Sequence, residues 1–100
     1  MADSLPIDQC ITIEFFGVVR HVAGVAGIQI ALTQPSMTLR DLLQEVAQQR
    51  PSLIPNIVDS TGKLHTGYIA NVNSDKFVDD VSTLVRCGDS VLLMSADAGG

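Results

Sequence analysis

One hundred residues, 46% hydrophobic and 17% charged, suffice for one domain with a packed core and are too apolar for a disordered chain. The net charge of -5, from 11 acidic and 6 basic side chains, argues against a phosphate-backbone binder, whose affinity comes from Lys and Arg, and makes any charged partner a basic one. No apolar run reaches the ~18 residues of a membrane span, and the opening MADSLPIDQ lacks the basic and apolar regions of a secretory signal, so a cytoplasmic protein without membrane or nucleic-acid contacts is expected.

Residues 1–9 read as a flexible N-terminal segment, and residues 10–100 as a single domain without internal repeat or linker. From Ile11 the apolar positions alternate, with Ile11, Ile13 and Phe15 on one face and Thr12, Glu14 and Phe16 on the other. That is the period of a half-buried strand, and it leaves the large aromatic Phe16 on the solvent side. A loop holding Arg20, His21, Gly24 and Gly27 leads to a second alternating run, Ile28 to Thr33, so the two segments predict a hairpin.

After Gln34-Pro35-Ser36 the period changes. Thr38 followed by Asp41 supplies a hydroxyl for the first free N–H groups and an acid favoured by the helix dipole. Leu39, Leu42, Leu43, Val46 and Ala47 then fall on one helical stripe, and Pro51 stops the helix because it disfavours helical conformation at Arg50. Residues 52–67 form a connector with a helical turn and a turn at Asp59-Ser60-Thr61-Gly62. Tyr68 to Val72 is a third strand, Asn73-Ser74-Asp75 breaks it, Phe77-Val78 starts a short extended piece, and Cys87-Gly88-Asp89 turns into a last strand, Ser90 to Met94. These elements predict an α+β grasp: a mixed sheet of four to five strands with one main helix packed on one face. In the last strand, Val91 and Leu93 share one face and Leu92 and Met94 the other. With the first pair toward the helix, Met94 joins Phe16 outside, and with Leu92 or Phe77 the two make an apolar binding patch.

No constellation of side chains carries chemistry. Cys10 and Cys87 are too few and too far apart in sequence for a structural metal or cluster and read as reduced, partly buried thiols. His21 and His65 lack a ligand spacing and read as solvated loop residues, and no phosphate-binding loop or nucleophile elbow occurs. No bound metal or cofactor is expected, and the chain is expected not to be catalytic by itself. What remains is the end of the sequence, Ser95-Ala96-Asp97-Ala98-Gly99-Gly100, where two residues of maximal backbone freedom follow the apolar run Val91 to Met94.

Phe15, Phe16 and Arg20, the helix start Thr38-Leu39 with Leu42 and Leu43, Val72-Asn73, Gly88-Asp89 and Gly99-Gly100 together resemble the MoaD/ThiS family of ubiquitin-like β-grasp sulfur carriers, over Ile11 to Gly100. The resemblance is greatest to the small subunit of molybdopterin synthase. It implies that a ubiquitin-activating-like adenylyltransferase uses ATP to adenylylate Gly100, and that a persulfide donor then supplies sulfur to make a thiocarboxylate. That sulfur is delivered in the large subunit of the synthase to a pterin precursor in molybdenum cofactor biosynthesis. Gly99 and Ala98 would thread a narrow channel, since glycine has no Cβ to meet its walls, and Phe16, Arg20, Phe77 and Met94 would contact partners. Molybdopterin-type members commonly carry Pro-Pro where this chain has Ser95-Ala96-Asp97-Ala98. A carrier for thiazole, tRNA thiolation or another pathway, a modifier joined to lysines through Gly100, and a plain interaction domain therefore stay open.

Overall fold

The computed structural model describes residues 9–78 and 80–96. Seven strands and two helices follow in the order β1 (Cys10–Phe15), α1 (Val18–Ala23), β2 (Gly27–Ala31), β3 (Ser36–Thr38), α2 (Leu39–Gln49), a 3-10 turn at Pro51–Leu53, β4 (Tyr68–Val72), β5 (Lys76–Val78), β6 (Leu84–Arg86) and β7 (Ser90–Ser95). Five of the strands form one sheet in the order β2-β1-β7-β4-β5. Its centre is a parallel pair, β1 beside β7, and every other pairing in it is antiparallel. The fold is a ubiquitin-like β-grasp with α2 as its main helix.

The period-2 pattern sets the faces. Ile13 and Phe15 stand beside Val91 and Leu93, which stand beside Val72 and Ala70, and all six belong to one buried core with the stripe of α2. Leu39, Leu42 and Leu43 are buried to within 1%. At ~1.5 to 3 kcal/mol for each leucine, they are the main attachment of helix to sheet. Thr38 caps α2 as its sequence predicts, its Oγ1 accepting from the Asp41 N–H at 3.1 Å. The next two N–H groups find partners that the sequence does not announce: Leu39 donates to the Thr83 carbonyl at 2.8 Å and Arg40 to the Val81 carbonyl at 2.9 Å. The loop before β6 thus closes the start of the helix.

Three features differ from the sequence-based expectation. Arg20 and His21 sit on a helix rather than a loop. Its valines are weak helix formers, but Val19 and Ala23, four apart, are buried in the core, and tertiary packing overrides propensity. Gly17 and Gly24 bound this helix with φ of +59° and +80°, backbone that side chains rarely adopt. The strands also do not all share one sheet, because β3 and β6 pair separately and bury Val85. Three residues each are too short to display an alternation. Finally, Met94 is 7% exposed and not an outer contact. It lies opposite the core in a central strand, beside Ile69 of β4 and one step beyond the Phe15–Leu93 pair, where its neighbours cover it.

Candidate functional site

On the face of the sheet turned away from α2, two adjacent rows hold the large apolar side chains. The register aligns Glu14, Leu92, Asn71 and Phe77 across β1, β7, β4 and β5 in the first row. The second row brings together Phe16, Met94 and Ile69, since the Phe16 N–H donates to the Leu93 carbonyl at 3.1 Å and Met94 pairs with Ile69. Phe16 is 51% exposed and Phe77 59%, whereas Leu92 and Ile69 are half-buried. Two exposed aromatics over a floor of Met94 and Leu92 form an apolar band on a chain that carries a net charge of -5. Of the residues expected in the patch, Phe16 and Phe77 are exposed and Met94 is buried.

Arg20 is exposed but stands outside these rows. It lines an open depression of about 450 Å³ along one side of α1, from its N-cap Gly17 to its C-cap Gly24, together with His21, Val25 and Ala26. The sequence therefore points to two surfaces where the expectation had one.

The chain leaves the sheet at the Phe16 end of the band. Ser95 is the last residue of β7 and pairs with Tyr68, and the Ala96 N–H donates to the Gly67 carbonyl at 2.7 Å. Ala98, Gly99 and Gly100 lie outside the described residues, as does the segment 1–8. The opposite end of β7 is fastened by the two turns whose residues entered the family resemblance. Asn73 Nδ2 donates to Asp89 Oδ1 at 3.0 Å, Asn73 Oδ1 accepts from the Ser90 N–H at 2.8 Å, and Asp89 Oδ2 accepts from the Arg86 N–H at 2.9 Å. Asn73 adopts φ +57°, a left-handed conformation that asparagine tolerates better than most side chains. The Val-Asn and Cys-Gly-Asp turns are thus one device, and spacing alone did not reveal that they meet.

No group of three or more His, Cys, Asp or Glu that could hold a metal occurs among the described residues. Cys10 is buried, Cys87 is half-buried with its Sγ donating to the Gln34 carbonyl at 3.6 Å, and neither is in a disulfide. Two carboxyls titrate low because their own turns satisfy the charged form. The Thr61 hydroxyl and the Lys63 and Thr61 N–H groups hold Asp59 below its ordinary value, and the Ser82 hydroxyl and N–H do the same for Asp80. These are turn-forming carboxylates, not general acids.

Neither a family model nor a curated protein sequence matches the chain. Solved structures do match its fold. SAMP1 from Haloferax volcanii superposes with a TM-score of 0.75 at 19% identity, over 91% of this chain and 99% of that one. Urm1 from Trypanosoma brucei does so at 0.70 and 22% identity, over 96% and 100%. A candidate molybdopterin converting factor subunit 1 from Pyrococcus furiosus gives 0.67 at 20%, over 87% and 97%. The chain shares with these proteins, nearly end to end, the ubiquitin-like β-grasp fold that its motifs led one to expect of a MoaD/ThiS-type chain.

Proposed function

We propose that this chain is a sulfur carrier whose Gly100 carboxylate is adenylylated and then converted to a thiocarboxylate, donating sulfur to a pterin precursor in molybdopterin biosynthesis as the small subunit of the synthase. The observation that carries this reading is where the last strand ends. β7 runs through the middle of the sheet, its described end, where Ser95 pairs with Tyr68 and Ala96 bonds to Gly67, lies next to the apolar band, and the sequence continues for four residues ending in Gly99-Gly100. Four extended residues reach about 14 Å, enough to place a reactive carbonyl inside a partner whose surface rests on Phe16 and Phe77. A carboxylate is a poor electrophile at neutral pH, so an enzyme must first make one oxygen a leaving group. ATP supplies AMP for that purpose with release of pyrophosphate; the outer sulfur of the donor's persulfide displaces AMP to form an acyl disulfide, and a second thiol attacks the donor's sulfur, forming a disulfide with it and releasing the thiocarboxylate. The partners of this reading are the ubiquitin-activating-like adenylyltransferase, the persulfide donor and the large synthase subunit, with Arg20 offering them a contact on the separate surface beside α1.

A second reading is supported by the neighbours called small archaeal modifier protein, two of which have folds close to this one. In it Gly100 is joined to lysines of other proteins, or the sulfur goes to another product. Removing Gly99 and Gly100 separates the carrier and modifier readings from that of a plain interaction domain. Cells lacking their own carrier should regain molybdenum cofactor with the whole chain and not with the truncated one, while the melting temperature stays the same. Restoration by the truncated chain would defeat the tail chemistry, and lysine-linked adducts without restored cofactor would favour the modifier.

A further inference from the structure

Asn71 stands in the middle of the open face, between Leu92 and Phe77 in register, while its chain neighbours Ala70 and Val72 belong to the core on the other side. It is 8% exposed, and its Oδ1 has no hydrogen-bond partner. Asparagine is a poor strand former, and a buried acceptor left unmet destabilises the free chain. A leucine, with the same branched arrangement of heavy atoms, would avoid both penalties and continue the apolar band.

We propose that Asn71 is the specificity-determining residue of the docking face: the protein that covers Phe16, Leu92 and Phe77 brings an N–H or O–H donor to Asn71 Oδ1. This rests on the carrier reading above and adds the chemistry of its partner. A purely apolar competitor would seal the acceptor away from water without satisfying it, so the same atom that weakens the free chain rejects the wrong surface. Phe77, its neighbour in register, lies on the edge strand β5 and is 59% exposed, so the approach to Asn71 is from the edge of the sheet. The occupant is a basic, apolar-faced surface of the activating enzyme. The chain is acidic overall, and the exposed Glu14 lies in the same row as Asn71, two strand spacings or about 9.5 Å away. That row asks for a cation at one end and a neutral or charged donor in its middle.

The test uses the full chain with the ubiquitin-activating-like adenylyltransferase of the same organism and ATP, reading the carrier concentration that half-saturates adenylate formation. Asn71→Leu should raise the melting temperature yet raise the half-saturating concentration about tenfold, with the maximal rate unchanged. Asn71→Asp, which keeps an acceptor in the same place, should lower the melting temperature and hold half-saturation within about threefold of the wild type. Equal half-saturation for the leucine variant and the wild type would overturn the proposal, as would equal losses in both variants, which would assign Asn71 to shape alone. A wild-type chain that forms no adenylate would overturn the carrier reading itself, and this inference with it.

Discussion

Phe16 and Met94 are neighbours on the open face of the sheet, and they answer to different constraints. Phe16 follows the end of β1 and keeps 51% of its surface in water, so its loss removes little from the folded chain. Met94 sits in the central strand at 7% exposure. Phe16→Asp should weaken binding to the partner by about 2 kcal/mol or more, as the loss of a central aromatic anchor does, with the melting temperature nearly unchanged. Met94→Asp should do the reverse to stability, because it places a charge in a covered site. Thermal melts of both variants beside titration with the partner check this, and a destabilised Phe16→Asp chain with normal affinity would reverse the assignment. The sequence placed both residues on the correct face by alternation. It could not show that Met94 is covered, because coverage depends on Ile69 and on the chain beyond Phe15, which arrive from other strands.

At the scale of elements, α2 was legible throughout: cap, stripe and stop all lie within residues 38–51, and short-range signals suffice for them. Thr38→Ala should cost about 1 kcal/mol, the usual effect of losing a cap hydroxyl, read as a shift of the denaturation midpoint without a change in slope. A larger loss would mean that the hydroxyl also steadies the loop whose Val81 and Thr83 carbonyls accept from Arg40 and Leu39. That loop, like β3 with β6 and the Asn73–Asp89 link, joins residues more than 15 apart and leaves no periodic trace. The first helix was missed for a related reason, although one local signal marked it. A glycine directly after Arg20-His21-Val22-Ala23 is the left-handed stop of a helix whose last turn carries basic residues.

Two turns make this architecture sensitive to acid. Asp59 and Asp80 both titrate lower in the folded chain than their ordinary 3.8, chiefly through hydrogen bonds from Thr61 and Ser82. The unfolded chain therefore takes up protons first as pH falls. The stabilisation is complete above 3.8 and is lost as pH drops through the lowered native values. Since Asp80 anchors the loop that closes α2, Asp80→Asn should flatten the acid side of the stability profile, seen as melting temperature against pH between about 5 and 2. A variant whose profile matches the wild type would deny that carboxylate its role.

Across the whole molecule, the parallel pairing of β1 with β7 brings the start of the domain and its last strand together in the centre of the sheet. One end of β7 is tied by Asn73 and Asp89, and the other releases the chain beside Phe16. The described fold thus carries an apolar face next to the end of β7. No group of three or more His, Cys, Asp or Glu that could hold a metal occurs among the described residues, and the chemistry proposed above is that of Gly100. The most direct measurement is the mass of the whole chain after incubation with the adenylyltransferase, ATP and a sulfur source, followed by fragmentation. One sulfur should replace one oxygen at Gly100, with the adenylate accumulating when sulfur is withheld and both products absent from a chain extended by one alanine. Sulfur found on Cys10 or Cys87, with the extended chain reacting normally, would contradict the account and make the protein a side-chain persulfide carrier.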